Sequence, residues 1–154
     1  MVKIIIVSNE YVIFHLGASS SERKWKIENW KNLIKWVNSK GFKVFLTGIE
    51  EDYKDSKTIN LENIEKLFTE KGSRIDLRNF ASLAKNSSAF VGGDTGLTHL
   101  ADAIGARVLG LYGTPHLRFF PYNSRNYISR FDLDKNIKNI LVEEVILKLE
   151  EILR

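Results

Sequence analysis

Apolar and polar positions alternate along this chain in two rhythms, short dense apolar runs and longer amphipathic ones. "KIIIV" (Lys3 to Val7) and "YVIFHLG" (Tyr11 to Gly17) are strand-like. "WKIENWKNLIKWVNSKG" then sets Ile27, Trp30, Leu33, Ile34 and Val37 on one helical stripe, with Gly41 placed to stop it. "FKVFLTG" (Phe42 to Gly48) reads as a buried strand, Leu61 to Phe68 as a short helix and "RIDL" (Arg74 to Leu77) as a short strand. "NFASLAKNSS" predicts a helix that runs out in Asn86, Ser87 and Ser88. "AFVGG" predicts a strand, Thr95 to Ile104 a helix and Arg107 to Gly113 another strand. Thr114 to Arg130 reads as one long irregular loop holding both prolines. Val142, Val145, Ile146, Leu149 and Leu153 mark a final amphipathic helix over Ile140 to Leu153.

Near-continuous apolar strands alternating with helices predict an α/β fold, a Rossmann-like parallel sheet with helices on both faces. A length of 154 residues suits a single domain, and no repeat, linker or low-complexity tract divides it. In such sheets ligands bind beyond the carboxyl ends of the strands. The chemistry is therefore expected in "GASSSERK", "TGIEED", "GDTGLTH" and "YGTPHLR".

Composition narrows the classes. With no cysteine, disulfides and thiolate metal sites are excluded, and a reducing cytosol fits. Three histidines without ligand spacing give no metal signal. No apolar run approaches the ~18 residues of a bilayer span, and "MVKIIIVSNEYVIF" has no cleavage pattern. Charged residues are 27% of the chain and the net charge is +4, a mild bias towards anionic partners. The lysines and arginines are dispersed and form no nucleic-acid recognition motif.

The most informative stretch is "VGGDTGLTHLADAIG" (Val91 to Gly105). On a helical wheel Leu97, Leu100, Ala101 and Ile104 share one stripe, and Thr95, His99 and Asp102 fall opposite. Asp94 is placed to cap the helix, accepting from the amides of Gly96 or Leu97. Gly93 and Gly96 leave the backbone open to close approach. Two readings stand side by side: a phosphate or diphosphate site at the helix start with His99 beside it, or an ordinary capped helix with an exposed histidine.

"FVGGDTGLTHLADAIGARVLGLYGTP" resembles the Asp-Thr-Gly signature of the heptosyltransferase family, glycosyltransferase family 9. "VIFHLGASSSERKWKIENWKNLIKWVNSKGFKVFLTG" is similar to that family's next most typical segment, in the same order. Two separated motifs in agreement are far more specific than one, and the resemblance runs from about Tyr11 to the final helix. It implies the C-terminal, nucleotide-sugar-binding half of a GT-B glycosyltransferase. Residues 1–154 would be one donor-binding domain without the N-terminal acceptor domain, either an expressed fragment or a truncated gene product. Most members transfer ADP-activated heptose to the inner core of lipopolysaccharide. That implies an ADP-sugar donor, a lipopolysaccharide core acceptor, a cytoplasmic location with peripheral association at the inner membrane, and no metal or cofactor.

Carried over by position, the resemblance gives Asp94, Thr95 and Gly96 as the diphosphate-binding turn, His99 as its following histidine and Lys24 as the basic residue facing the phosphates. Glu50 or Glu51 would hold the donor ribose, and a gap leaves both in play. Thr98 stands where serine or methionine is frequent, and "GTPHLRFFPY" departs from the usual loop that contacts the sugar. The family's catalytic base lies in the other half, so no catalytic residue is expected here. Physically, a lysine and a helix start complement a diphosphate's roughly two charges. The plainer reading makes "SSSERKWK" a solvated loop and Glu50 and Glu51 an acidic first helical turn. Trp25, Trp30 and Trp36 read as packing residues, His15 as structural or near the cleft, and His116 as a loop residue. The competing class is a stand-alone flavodoxin-like nucleotide-binding or regulatory domain without transferase activity.

Overall fold

The computed structural model describes residues 10–69, 76–114 and 120–154. Six parallel strands form its sheet: β1 (Tyr11–His15), β2 (Lys43–Ile49), β3 (Ile64–Thr69), β4 (Ala89–Gly92), β5 (Val108–Tyr112) and β6 (Asn126–Ser129). Between and after them lie α1 (Ile27–Ser39), α2 (Glu50–Ser56), α3 (Leu77–Asn86), α4 (Gly96–Ala103) and α5 (Val142–Leu153). Short 3-10 turns occupy Ser21–Arg23 and Ile137–Asn139.

Both faces of the sheet are covered, which explains the unbroken apolar strands. Val12, Phe14 and Leu16 point into a cluster with Trp30, Leu33, Ile34 and Val37 of α1 and Val145 and Leu149 of α5. Tyr11, Ile13, Phe45, Phe90 and Val108 point the other way, against Phe80, Leu83 and Ala84 of α3 and Ala101 of α4. The buried positions of α1 follow the expected spacing, and Gly41 at φ +89° ends that helix. Trp25 and Trp30 are buried, while Trp36 packs half-buried at the cluster's edge. The Trp25 indole N–H donates to the Ile140 carbonyl at 2.9 Å, tying the segment after β1 to the entry of α5.

The strand order is β3-β2-β1-β4-β5-β6. β1 lies between β2 and β4, whereas a flavodoxin sheet puts it between the second and third strands. Among the described residues the sheet order is therefore not that of flavodoxin.

Other local expectations need correction. Leu61 to Phe68 is not a helix: Ile64–Thr69 pairs with β2 in the register Val44↔Ile64 to Ile49↔Thr69. Its apolar residues serve both faces, Ile64 and Phe68 one cluster and Leu67 the other, which blurs the two-residue alternation. The loop Thr114 to Arg130 contains β6, a four-residue edge strand. Asp76 caps α3, accepting from the Arg78 and Asn79 amides, and Leu77 is its first residue. Arg74, the strand Lys3 to Val7 and His116 lie outside the described residues.

Candidate functional site

Where strand order reverses, the loops leaving two neighbouring strands diverge and open a crevice. Here that point lies between β1 and β4, whose last paired residues are His15 and Gly92. From β1 the chain runs through Gly17 to Lys26 into α1, and from β4 through Gly93, Asp94 and Thr95 into α4.

The turn after β4 is built differently from the expectation. The cap of α4 is Thr95, not Asp94: its side chain accepts from the Thr98 amide, with Oγ1 at 3.3 Å. One residue further out, the Asp94 carboxylate is not the cap and meets two side chains instead. Its Oδ1 lies 3.2 Å from Nε2 of His99 and its Oδ2 3.9 Å from Nη1 of Arg23. The helix is also rotated from the expected stripe. Thr98, Ala101 and Asp102 are its buried residues, and Leu97, Leu100 and Ile104 are half-buried against α3. Buried Asp102 accepts from the amides of Asn123 and Ser124 at 2.9 and 2.8 Å. Burial alone would raise its pKa, but these hydrogen bonds outweigh it and hold the carboxyl below its ordinary value.

The glycines divide by role. A Cβ on Gly92 would fall 2.7 Å from Thr98 Oγ1, so no side chain fits where β4 passes under α4. A Cβ on Gly96 would meet nothing within 4 Å. The fold needs the first glycine and makes no steric demand for the second.

A cavity of about 810 Å³ adjoins this turn, lined by Arg23, Asp94, Tyr112, Gly113, Lys135 and Lys138 among others. A Cβ on Gly113 would lie 2.8 Å from the Ile137 amide nitrogen, so the end of β5 abuts the loop that carries both lysines. Tyr112 is buried, and its hydroxyl has no hydrogen-bond partner among the described residues. Burial raises its pKa, and Asp94 and Asp102 push it further in the same direction.

Lys24 belongs to a different cluster. Its Nζ lies 2.8 Å from Asp52 Oδ1 and 2.9 Å from Asp55 Oδ2, neither of which lines that cavity. Burial pulls the Lys24 pKa down, but hydrogen bonds to both carboxylates overcome this and leave it raised. Asp52 also accepts the Ile49 amide at 2.8 Å. His15 is buried beside it, with Nδ1 2.9 Å from Thr47 Oγ1. Burial lowers the His15 pKa to about 4 against an opposing pull from Asp52, so the ring is neutral at pH 7. Glu50 and Glu51 are exposed in the first turn of α2, beyond the end of β2.

The structure thus gathers Asp94, Thr95, Gly96 and His99 at one turn and adds Arg23, which the sequence reading passed over for its neighbour Lys24. The only available signal was the pair "RK" itself: Arg23 closes the 3-10 turn and Lys24 follows it in extended backbone, so the two side chains leave in different directions. Among the described residues no group of three metal-ligating side chains occurs, and no helix is long and apolar enough to cross a membrane.

The family model for glycosyltransferase family 9 (heptosyltransferase) matches residues 3–143. The chain belongs to that family. Among solved structures this heptosyltransferase-family chain is similar to the E. coli ADP-heptose lps heptosyltransferase II, with TM-score 0.79, 23% identity, and coverage of 96% of this chain and 48% of the other. It is similar to E. coli heptosyltransferase WaaC with ADP (TM-score 0.78, 20% identity, 93% of this chain and 44% of that one). A second WaaC structure, with ADP-2-deoxy-2-fluoro heptose, gives TM-score 0.74 at 22% identity over 92% of this chain and 43% of that one. These likenesses bear out the Rossmann-like α/β fold and match it to heptosyltransferase structures. The chain spans less than half the length of each of the three. No curated protein matches it.

Proposed function

We propose that this chain is the donor-binding, C-terminal half of a heptosyltransferase and holds ADP-heptose at the carboxyl end of its sheet. The observation that carries the reading is the turn at the switch point, where Arg23 and His99 converge on Asp94 beside the open amides at the start of α4. A helix start and a guanidinium favour a diphosphate and stabilise it as it leaves the sugar. We assign the ribose hydroxyls to Glu50 or Glu51, in the first turn of α2 after β2. In this reading Asp94, Thr95, Gly96 and His99 form the phosphate side with Arg23, and Lys24, paired with Asp52 and Asp55, supports the neighbouring segment. That WaaC is found with ADP and with a fluorinated ADP-heptose supports the choice of donor.

Transfer also needs a base for the acceptor hydroxyl. We place it in the other half of the enzyme, so the chain alone binds donor without transferring sugar. The acceptor is the lipopolysaccharide core, reached at the cytoplasmic face of the inner membrane. The test is calorimetric titration with ADP, UDP, GDP and an ADP-heptose mimic. Half a cleft should give ADP a Kd of roughly 10 μM to 1 mM. UDP or GDP binding tenfold tighter than ADP would overturn the donor assignment, and turnover by the isolated chain would misplace the base.

A further inference from the structure

We propose that Asp52 is a positioning residue: its buried carboxylate couples the segment carrying Arg23 to the segment carrying Glu50 and Glu51, holding the phosphate and ribose sides of the donor site in register. The inference rests on the donor-site reading above. Its two oxygens are divided between the two segments. Oδ1 takes the Lys24 ammonium at 2.8 Å, one residue from Arg23, and Oδ2 takes the Ile49 amide at 2.8 Å, one residue before Glu50.

The carboxylate is also confined by backbone from both strands. A Cβ on Gly17, after β1, would lie 3.0 Å from Asp52 Oδ2, and one on Gly48, in β2, 2.8 Å from it. With its side chain 3% exposed, Asp52 would be costly to bury without the ammonium and the amide. Asp55, the other partner of Lys24, is half-exposed, and exposed pairs fix geometry weakly. Asp52 therefore sets where Lys24 sits, and Lys24 sets where the backbone of Arg23 sits. From there Arg23 reaches within 3.9 Å of Asp94.

The test compares the wild-type chain with Asp52→Asn, Lys24→Met and the double variant. Two quantities are read: amide hydrogen exchange of residues Ser19 to Trp25 in the ligand-free protein, and Kd for ADP and for AMP. Each single variant should speed exchange in that segment and weaken ADP about tenfold, as loss of a supporting partner behind a ligand commonly does. AMP, which lacks the second phosphate, should lose less. Because Asp52 acts through Lys24, the double variant should be no worse than the poorer single. Were Lys24 itself a phosphate ligand, Asp52→Asn would release its ammonium and leave ADP binding intact or tighter, overturning the proposal. Unchanged exchange in Ser19 to Trp25, or additive losses in the double variant, would overturn it as well. A wild-type chain that binds no ADP would sink the donor-site reading, and the exchange measurement would still decide whether Asp52 holds the segment.

Discussion

One oxygen of Asp94 lies 3.2 Å from Nε2 of His99, and the other lies 3.9 Å from Nη1 of Arg23. The carboxylate meets a ring nitrogen from α4 and a guanidinium from the segment after β1, across the switch point. It does so without serving the helix it precedes, because Thr95 is the cap. Holding α4 and arranging the donors beside it therefore fall to adjacent residues.

That separation predicts opposite outcomes for neighbouring substitutions. Thr95→Ala removes the acceptor for the Thr98 amide and should cost about 1 kcal/mol of stability. Asp94→Ala should leave the melting temperature nearly unchanged while weakening ADP, because Arg23 and His99 lose the group that gathers them. Thermal melts of both variants check this. A larger stability loss in Asp94→Ala would return the cap to Asp94.

Arg23→Ala and His99→Ala should each weaken ADP by about 1.5–3 kcal/mol, or ~10- to 150-fold, the range of a hydrogen bond to a charged group. Both side chains are substantially exposed, so stability should barely move. Titration of each variant with ADP and AMP reads the effect. Equal losses for the two nucleotides would place these residues away from the second phosphate.

The sequence made much of this legible, and the failures have physical causes. The doubly covered strands β1, β2, β4 and β5 showed as dense apolar runs, and α1 and α5 as clean stripes. β3 did not, because an edge strand that sends Ile64 and Phe68 to one face and Leu67 to the other also satisfies a helical spacing. β6 is four residues in a polar context, too short for any period to show. In α4 the buried positions include Thr98 and Asp102, whose partners are a hydroxyl and two distant amides, so polarity misled the wheel. Asp94 and Thr95 are both good caps, and the choice between them is a matter of backbone angle. Lys24 and Arg23 are neighbouring cations in one charged loop, and only the fold separates them, pairing Lys24 with Asp52 and Asp55 and turning Arg23 towards Asp94.

Burial of His15 predicts a specific acid sensitivity. Its folded pKa is about 4, below the unfolded value of about 6.5, so on acidification the unfolded chain takes up this proton first. The corresponding stability is complete above pH 6.5 and is lost as pH falls towards 4, about 3 kcal/mol in all and about 2 kcal/mol between pH 7 and pH 5. His15→Asn keeps a polar partner for Thr47 and cannot titrate. Its unfolding free energy should fall less between pH 7 and pH 5 than that of the wild type, measured by urea denaturation at both pH values. Equal losses would mean that His15 is not the group responsible.

The two glycines bracketing α4 separate a fold requirement from a ligand requirement. Gly105 follows the helix at φ +87°, a conformation an L side chain resists, although a Cβ there would touch nothing. Gly105→Ala should therefore destabilise the chain by about 1 kcal/mol and leave ADP affinity alone. Gly96, at the other end, has equally open surroundings and no positive φ to keep it glycine. Gly96→Ala reduces the freedom of the unfolded chain and should hold or raise stability by up to about 1 kcal/mol. Its methyl group would stand over the amides at the start of α4, where a diphosphate has to approach, so ADP affinity should drop at the same time. Melting curves and ADP titrations on the two variants measure both effects. If Gly96→Ala binds ADP as the wild type does, the phosphates do not seat on this turn, and the convergence of Arg23 and His99 on Asp94 is a surface contact with no ligand role.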